Sequence, residues 1–434
     1  MEEILAGAAA HGGLSMANGR RVHVVGAGMA GLAAALQLSL AGESVILYEG
    51  ANFAGGRCRS FQDRELGCLI DNGNHLVLSG NVAIQDYLFL TNARATMSGP
   101  GAAIFPFLDL ASGERWTVKM NEGRIPWWIF NKNRRIAGTT PLDYLSALRV
   151  MTSSSTDRVA DRLDTKSLFY KRFWEPLVIG ALNTEAETSS AKLLANIFMQ
   201  SFGAGGRACH PLIPKQGLSE SFVHPCLEVL KQKNVEIKYS HRLGEIKIVR
   251  GAVRELQFNR DKVDVAPKDW VVLALPAWVT KALLPKVTTP LEFRSIINAH
   301  YRVDGVDPGL GFIGLLGGIA EWAFIRNGVV SATVSCAERY SSYPVRDLAT
   351  SIWHDLAQLC RLDPEKVPPR RIFKEQYATF AATPEQNMLR PSAYTGWSNL
   401  ALAGEWTDTG LPSTIEGAIR SGFKAAQLVM RWTD

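Results

Sequence analysis

The amino-acid sequence predicts a mixed α/β protein. A short apolar strand at Val22–Val25 precedes a glycine-rich loop, a helix of small residues and a second strand at Val45–Tyr48. Further strand-like segments occur between residues 235 and 275, and helical spacing of apolar residues predicts a last helix from Thr414 to Arg431. Alternating strands and helices of this kind favour an architecture in which helices pack on a sheet.

The middle of the chain is predicted from the same patterns. Residues 141–200 look largely helical, with Pro141 and Asp143 near one helix start. Residues 291–390 mix strands with a helix around Val345–Cys360. The chain therefore has enough regular elements for a second lobe beside the first one.

The composition is that of a folded chain. Apolar residues make up 47% and charged residues 20% of the 434 positions, which excludes a largely disordered or fibrous protein. Lysine and arginine exceed aspartate and glutamate by 47 − 41 = 6. Because no dense basic run is present, we expect no nucleic-acid partner, whereas attraction to an anionic membrane surface agrees with this charge.

Cysteine spacing and hydropathy indicate the compartment. The six cysteines are scattered without a C-x-x-C pair, which disfavours a disulfide framework and a cysteine zinc site, so we expect no metal. No uncharged apolar run reaches the roughly 18 residues that a membrane-spanning helix needs. Residues 1–20 have the features of a flexible tail and not of a signal peptide, so we expect a cytoplasmic protein.

The loop after the first strand has the spacing of a dinucleotide site. Gly26 permits a tight turn, Gly28 lets a pyrophosphate approach the backbone, and Gly31 allows the helix to pack closely on the strand. Met29 and Ala30 begin the helix, whose free N–H groups and dipole favour the negative charge of a phosphate. We therefore assign these five residues to cofactor binding.

An acidic residue completes the β-α-β unit. Glu49 ends the second strand, 49 − 26 = 23 residues after Gly26. A carboxylate at this place accepts hydrogen bonds from the hydroxyls of an adenosine ribose. It also disfavours the 2′-phosphate of NADP, so a dinucleotide without that phosphate is expected.

Two further motifs indicate which dinucleotide is bound. Gly56 and Arg57 belong to a second glycine pair followed by a cation, and Gly404-Glu405 follows an apolar run at 400–403. Together with the first loop, these motifs resemble the FAD-dependent amine oxidase and phytoene desaturase superfamily. In that superfamily the Gly-Asp/Glu motif touches the ribityl chain of the flavin, so the resemblance implies FAD.

The resemblance also implies a domain organisation. It consists of a Rossmann-like FAD-binding domain and a discontinuous substrate domain of sheet and helices, with an amine oxidase-like arrangement and a mixed sheet in each lobe. After the tail at 1–20, the FAD-binding domain takes 21–90, 215–290 and 391–434, and the substrate domain takes 91–214 and 291–390.

Several other residues are expected at the flavin. The resemblance implies that the backbone of Leu243 meets the adenine and that Gly73 and Asn74 lie in a polar turn near the flavin. Thr414 and Ile415 begin the last helix, whose N–H groups could face the N1/C2=O edge of the flavin. Reduced flavin is anionic there, and a helix N-terminus stabilises such a charge by ~0.3–1 kcal/mol.

Three longer stretches narrow the resemblance. They are Ile70–Asn81, Phe173–Leu177 with Ala181–Thr184, and Gly404–Ala418. Together they resemble the squalene-associated FAD-dependent desaturases, the hydroxysqualene dehydroxylases of bacterial hopanoid synthesis. The resemblance runs from about residue 21 to the end of the chain. It implies reduction of a polyisoprenoid, hydroxysqualene, to squalene, and it leaves the reductant of the flavin and the oligomeric state open.

The implied reaction needs a proton donor for the leaving allylic hydroxyl. Asp71 and His75 lie in the polar turn expected near the flavin, and Asp408 lies in the ribityl segment. We take these three residues as catalytic candidates. Each also has an ordinary structural interpretation, as a loop acid or a hydrogen-bonded histidine.

Residues 124–135 combine aromatic and basic side chains in a way that is typical of membrane-interface segments. Trp127 and Trp128 would sit at the depth of the lipid headgroups, and Lys132 with its basic neighbours would contact lipid phosphates. A packed strand with a basic turn is the alternative. On the membrane interpretation, the protein is peripheral on the inner face of the cell membrane.

Three other functions remain open on the sequence. A carotenoid or phytoene-type desaturase has the same fold and the opposite direction of hydride transfer. A flavin amine oxidase should present an aromatic cage at the flavin, and no distinct aromatic pair is evident. A non-enzymatic protein that binds prenylated partners, like the Rab GDP-dissociation inhibitors, would lack FAD, which the intact glycine motifs disfavour.

Overall fold

The computed structural model describes residues 19–309 and 311–431, so residues 1–18 of the predicted tail lie outside the described residues. The strands in these ranges are β1 (Arg21–Val25), β2 (Ser44–Tyr48), β3 (Ser60–Asp63), β4 (Cys68–Asp71), β5 (Val77–Leu78), β6 (Met97–Ser98), β7 (Ile104–Asp109), β8 (Arg115–Lys119), β9 (Pro211–Pro214), β10 (Glu236–Lys238), β11 (Leu243–Val249), β12 (Ala252–Phe258), β13 (Lys262–Asp264), β14 (Trp270–Leu273), β15 (Phe293–Arg302), β16 (Phe312–Leu316), β17 (Trp322–Arg326), β18 (Val329–Val334), β19 (Arg370–Phe380) and β20 (Leu400–Leu402).

The α-helices of the described ranges are α1 (Met29–Leu40), α2 (Val82–Leu90), α3 (Ser146–Met151), α4 (Val159–Arg162), α5 (Glu175–Leu182), α6 (Ala191–Gln200), α7 (His224–Gln232), α8 (Ala277–Leu283), α9 (Val345–Cys360), α10 (Pro384–Met388) and α11 (Ile415–Arg431). Short 3₁₀ helices include Trp127–Phe130 and Pro141–Leu145. The predicted helix start at Pro141 is confirmed, because Asp143 Oδ2 accepts a hydrogen bond from Thr140 N at 2.6 Å.

A parallel sheet forms the base of the first lobe. Its strand order is β10-β2-β1-β14-β20, and Val24 of β1 lies between Leu47 of β2 and Val272 of β14. All three side chains are fully buried, as expected for a parallel sheet with both faces covered. Every strand pair of this sheet in the described ranges is parallel, so the expectation of a mixed sheet in this lobe was wrong. The strands of this sheet are joined by crossover connections, which bring the chain back to the same edge of the sheet, so that each new strand runs in the same direction.

The last helix packs directly on the first one. A Cβ built at Gly422 in α11 would lie 2.2 Å from the carbonyl oxygen of Ala30 in α1, so only glycine permits this approach. The predicted role of Gly31 has the same basis, since a Cβ there would lie 1.8 Å from the carbonyl oxygen of Gly26. The two ends of the described chain are therefore held against each other by main-chain contact.

A seven-stranded sheet forms the base of the second lobe. Its order is β19-β15-β18-β17-β16-β7-β8, which combines strands from residues 104–119 with strands from residues 293–380. Among the described strand pairs of this seven-stranded sheet, only β16–β7 is parallel, so the sheet is mixed, as the sequence analysis expected. The domain boundaries given above stay a prediction.

The two faces of the seven-stranded sheet differ. One face packs on α9, where Tyr301 Oη donates to the carbonyl of Ala349 at 2.6 Å. The other face carries aromatic rings that pack with the helices of residues 141–204. We call this second set the aromatic layer; its rings include Phe107, Trp116, Phe173, Trp174, Phe198, Phe202 and Trp322.

The contact of α11 with α1 leads to a stability prediction. Replacing Gly422 with alanine forces the two helices apart, and we expect a loss of ~1–3 kcal/mol in the free energy of unfolding. Urea unfolding followed by circular dichroism measures this loss. Gln427→Ala, at an exposed position of the same helix, is the matched control. Equal stability of the two variants would contradict the packing argument.

Candidate active site

The glycine loop leaves room for a ligand at the start of α1. Gly26 has φ +104°, and a Cβ there would lie 2.4 Å from the carbonyl oxygen of Ala274, so the turn requires glycine. A Cβ at Gly28, in contrast, would meet no atom within 4 Å. No side chain caps α1 and its first turn carries no acid, so its positive end is available to an anion.

Glu49 is held at the edge of this loop. Its two carboxylate oxygens accept hydrogen bonds from Ala27 N and Ala51 N, both at 2.8 Å. These bonds orient the carboxylate and leave its remaining lone pairs for ribose hydroxyls. Met29 and Ala30, the first residues of α1, are buried, so their main chains and not their side chains are suited to contact a phosphate.

The second glycine pair lies directly on the first loop. Gly55 N donates to the carbonyl of Ala27 at 2.8 Å, and a Cβ at Gly56 would lie 3.3 Å from Gly28 Cα. Gly56 has φ +59°, a conformation that glycine adopts without strain. The structure therefore brings the two predicted glycine motifs together at the start of α1.

An ion pair joins the other two predicted motifs. Arg57 Nη2 lies 2.5 Å from Glu405 Oε1, although the residues are 348 positions apart in the chain. Arg57 Nη1 also donates to the carbonyl of Ala378 at 2.6 Å. Gly404, with φ +151°, makes the turn that precedes Glu405, and Trp406 packs against it.

The remaining predicted flavin contacts lie at element ends. Thr414 Oγ1 accepts a hydrogen bond from Gly417 N at 3.0 Å and so caps α11, whose first residue Ile415 is buried. Leu243 is buried at the start of β11, where it pairs with Phe258. The roles of Thr414, Ile415 and Leu243 toward the flavin stay predictions.

Asp71 is a buried and fully engaged carboxylate. Its Oδ1 accepts from Ser60 Oγ at 2.6 Å and from Leu218 N at 2.9 Å, and its Oδ2 lies 2.6 Å from Arg326 Nη2. A carboxylate with these partners is well suited to hold the polar turn in place and poorly suited to release a proton. Its predicted catalytic role is therefore the weaker interpretation of this geometry.

His75 and Asp408 differ in their surroundings. His75 is half-buried, and burial lowers its pKa, with Asp71 opposing and Arg57 reinforcing that effect. Asp408 is exposed to solvent, and its main-chain N donates to the carbonyl of Pro391. Of the three catalytic candidates, His75 is the one that has both burial and accessible surface.

Polar side chains of β15 and β18 meet the polar turn. Asn298 Nδ2 donates to the carbonyl of Asn72 at 3.2 Å, and Thr333 Oγ1 contacts Asn298 Oδ1 at 3.3 Å. Asn74 Nδ2 donates to Thr333 Oγ1 at 3.2 Å, and a Cβ at Gly73 would lie 3.5 Å from Asn298 Nδ2. The predicted residues Gly73 and Asn74 are thus held by the seven-stranded sheet.

Sequence reasoning missed the residues that complete this polar region. They are Asn298, His300, Arg326, Ser331 and Thr333. A signal for the first two was present, because Asn298 and His300 alternate with apolar residues along β15 and so share one face. The partner strands are distant in the chain, and no local pattern indicates that they lie beside the polar turn.

Glu416 was missed as well. It is buried in α11, and its oxygens accept from Ala83 N at 3.1 Å and Ile84 N at 2.9 Å, the first turn of α2. Arg420 Nη2 lies 2.9 Å from Glu416 Oε1. This carboxylate therefore compensates the N-terminal charge of α2 and fixes α11 against it.

The assembled features define a dinucleotide-dependent oxidoreductase with two lobes. The open space at Gly28, the uncapped start of α1 and the oriented Glu49 suit a pyrophosphate and a ribose. β20 is the last strand of the first sheet, and it brings Glu405 next to Arg57 in the same lobe. The rest of the dinucleotide would extend toward this pair.

Comparison with known proteins agrees with this class. Residues 29–430 match the family model described as flavin containing amine oxidoreductase. The chain is 41% identical to a hydroxysqualene dehydroxylase of Sinorhizobium fredii, covering 96% of this chain and 99% of that protein. A hydroxysqualene dehydroxylase of Rhodopseudomonas palustris is also 41% identical, with coverages of 95% and 98%.

More distant relatives share the fold. A probable zeta-carotene desaturase of Synechococcus elongatus is 22% identical over 94% of this chain and 98% of its own length. The crystal structure of an oxidoreductase from Methanosarcina mazei superposes with a TM-score of 0.71 at 15% identity, covering 94% and 100% of the two chains. The predicted amine oxidase-like fold is confirmed.

The chain belongs to the family of flavin containing amine oxidoreductases. The family's flavin and the dinucleotide loop together identify FAD as the cofactor. The predicted resemblance to hydroxysqualene dehydroxylases is confirmed by relatives that match nearly the whole chain.

The position of Glu49 leads to a prediction on cofactor binding. Glu49→Ala removes both the acceptors for Ala27 N and Ala51 N and the carboxylate that we predict to face the ribose. We expect the dissociation constant of FAD to rise at least ~10-fold, equivalent to the loss of about one charge-assisted hydrogen bond. Titration of apoprotein with FAD by flavin fluorescence measures the change.

The control for this variant is Glu43→Ala, which removes an acid that pairs with Arg20 and lies before β2. It should bind FAD as the unaltered protein does. Unchanged FAD affinity in Glu49→Ala would show that the carboxylate does not contact the ribose.

Proposed function

We propose that the protein is an FAD-dependent hydroxysqualene dehydroxylase that reduces hydroxysqualene to squalene in hopanoid synthesis. The observation that carries this proposal is the similarity, over nearly the full length, to proteins of that name. The pairing of Arg57 with Glu405 and the open glycine loop support an FAD site of the kind that such an enzyme needs.

The chemistry divides between the cofactor and the chain. Reduced FAD supplies a hydride when bound, and the overall balance is alcohol plus hydride plus proton to hydrocarbon plus water. The chain must bind the substrate, exclude water and deliver the proton to the leaving hydroxyl. We assign proton delivery to the protonated form of His75, because this residue alone of the three candidates combines burial with accessible surface.

The aromatic layer supports an isoprenoid substrate. Phe107 stacks on Trp116 with ring centroids 5.7 Å apart, and Phe198 stacks on Phe202 at 5.6 Å. Aromatic side chains suit contact with a long hydrocarbon, and Phe173, Phe202 and Trp322 are the partly exposed rings of this layer. Ring faces also stabilise a positive charge, which an allylic cation would carry after loss of the hydroxyl.

The other candidate functions have weaker support. The carotene desaturase relatives are only 22–23% identical to the chain, and the dehydroxylase relatives are far more similar. An amine oxidase should present an aromatic cage at the flavin, and no aromatic pair of the described residues is identified as such a cage. The FAD motifs disfavour a non-enzymatic prenyl-binding protein.

A direct assay tests the proposed reaction. Enzyme reduced under anaerobic conditions and mixed with hydroxysqualene should show flavin reoxidation and squalene formation in equal amounts. Phytoene, offered to the oxidised enzyme, and putrescine serve as substrates for the two alternative classes. Reoxidation without squalene would contradict the dehydroxylase, and a purified protein without flavin absorbance would favour the non-enzymatic alternative.

We also propose that the enzyme works on the inner face of the cell membrane. None of the helices in the described ranges has the length and apolar character needed to cross a bilayer. Exposed apolar side chains are grouped on two neighbouring 3₁₀ helices, on the loop before the first of them and on α3. The members of this group, called the apolar surface below, are Ile125, Trp127, Phe130, Leu142, Leu145 and Leu148.

The geometry of this region supports surface contact for part of the predicted segment. Trp127 and Phe130 are 62% and 63% exposed, and Leu142 is 75% exposed. Trp128 is buried and packs on Tyr144 at 5.2 Å, so the expectation that both tryptophans face the membrane was wrong for Trp128. Its ring packs between the two 3₁₀ helices, since Tyr144 lies in the second one.

Charge in the same region favours anionic lipid. Residues 123–151 contain five basic residues and one acid, a net charge of 5 − 1 = +4, out of +6 for the whole chain. Arg134 and Arg135 donate to main-chain carbonyls and not to carboxylates, so their charges remain available. Each such charge near an anionic surface contributes about 1 kcal/mol.

Vesicle binding tests the apolar surface. Trp127→Gln combined with Leu142→Gln removes apolar contact at constant charge, and co-sedimentation with phosphatidylglycerol vesicles should fall at least ~10-fold. Leu291→Gln combined with Val345→Gln, at positions 62% and 66% exposed, is the control. Unchanged sedimentation would contradict membrane contact. A dimer lost only in the first variant would assign the surface to a second copy of the chain.

A further inference from the structure

Arg390 is a buried cation in the loop between α10 and β20. It is 7% exposed, and all three guanidinium nitrogens donate hydrogen bonds. Nε donates to the carbonyl of Thr407 at 3.1 Å, and Nη1 donates to Asn387 Oδ1 at 2.9 Å. Nη2 donates to the carbonyl of Glu405 at 3.1 Å and to Thr409 Oγ1 at 2.9 Å. The guanidinium therefore holds the chain that begins at Glu405.

The same guanidinium connects this part of the chain to the second lobe. It lies 4.8 Å from the centre of the Phe380 ring, and Phe380 is the last residue of β19 in the seven-stranded sheet. Phe380 N donates to Ser413 Oγ at 3.1 Å, two residues before α11 begins. Residues 405–413, which lie between β20 and α11, are thus held at both ends.

The positive charge of Arg390 has no carboxylate in direct contact. Its hydrogen-bond acceptors among the described residues are carbonyl, amide and hydroxyl oxygens. Burial lowers the pKa of Arg390 to about 10, and the more distant charges of Asp408 and Glu405 oppose that effect. Glu405 is already paired with Arg57. A buried charge without a counter-ion costs free energy, and a bound anion close by would offset that cost.

The predicted flavin site is the place where such an anion would bind. The chain that Arg390 holds contains Glu405, which we predict at the ribityl chain, and leads to Thr414 and Ile415, which we predict at the N1/C2=O edge. When FAD is bound, its reduced form carries a negative charge at that edge, whereas its oxidised form is neutral there. A fixed cation near this edge favours the reduced form, since charge around the ring system tunes the cofactor.

We propose that Arg390 positions residues 405–413 for the flavin and that its uncompensated charge stabilises the reduced, anionic form of the cofactor. The start of α11 acts in the same direction, but a helix N-terminus contributes only about half a unit charge, whereas Arg390 contributes a full one. The inference rests on the FAD site and does not depend on which substrate is reduced.

The midpoint potential of the bound flavin tests the role of the charge. Arg390→Gln removes the charge and keeps an amide donor, so the equilibrium should shift at least ~10-fold toward oxidised flavin, equivalent to ~30 mV for a two-electron couple. Arg390→Lys keeps the charge and should keep the potential. Xanthine and xanthine oxidase supply the two electrons under anaerobic conditions, and a reference dye reports the potential. An unchanged potential in Arg390→Gln, or an equal fall in both variants, would overturn the electrostatic role.

The affinity for oxidised FAD tests the positioning role separately. Neither lysine nor glutamine reproduces the five hydrogen bonds of the guanidinium, so the dissociation constant should rise about 10-fold in both variants. Titration of the apoproteins by flavin fluorescence measures this change. If both variants bind oxidised FAD as tightly as the unaltered protein does, Arg390 does not position residues 405–413 for the flavin.

Arg172→Gln is the matched control. Arg172 lies 4.7 Å from the centre of the Trp116 ring, as Arg390 lies over Phe380, but Arg172 pairs with Glu114 in the second lobe. This variant should keep both the potential and the FAD affinity.

The unaltered protein supplies a test that needs no variant. Its bound flavin should have a higher midpoint potential than free FAD, and a lower one would overturn the proposal even if Arg390→Gln does not fold. Absence of squalene formation, with the expected potentials intact, would contradict only the proposed function.

Discussion

The close approach of α11 to α1 is the constraint on which the site depends. Because Gly422 has no side chain, the last helix lies against the carbonyl oxygen of Ala30, within the first turn of α1. That contact acts together with the pairing of β20 on β14, which brings the turn at Gly404 to the same sheet as the glycine loop, although nearly the whole chain separates them. The Arg57–Glu405 ion pair then forms between two motifs that lie 348 positions apart in the chain. Glu416 adds a second fixed point by capping α2 from the same helix.

Sequence patterns predicted the parts of this lobe whose structure depends on residues close together in the chain. The β-α-β unit follows from strand apolarity, glycine spacing and the acid at Glu49, and all of these act within about thirty residues, the usual size of such a unit. The parallel sheet was harder to predict, because strand direction depends on crossovers and not on the composition of each strand. The expectation of a mixed sheet failed for that reason, whereas it held for the second lobe, where hairpins dominate.

The candidate site was also predicted only in part. Motifs that contact a phosphate or a flavin carry glycines at fixed spacing and are visible in the sequence, as Gly28 and Gly56 illustrate. The pairing of Asp71 with Arg326 is not visible in the sequence, because the two residues are 255 positions apart in the chain. Polar residues inside β15 and β18 are recognisable as unusual, but only the register of Asn298 with Thr333 and of His300 with Ser331 shows that they form one polar region.

Separation of polar from apolar surface explains how one lobe can support both halves of the proposed reaction. Ionisation of an allylic alcohol needs a proton at the oxygen and a dry, cation-tolerant wall along the carbon chain. On one face of a single sheet, the polar pairs of β15 and β18 lie toward one edge and the rings of Phe107 and Trp116 at the other edge. Trp322 of β17 lies between them, beside Thr333. A substrate lying along that face would have its hydroxyl near His75 and its hydrocarbon among aromatic rings. Water admitted to the aromatic end would capture the cation, so keeping polar side chains away from those rings would protect the intermediate.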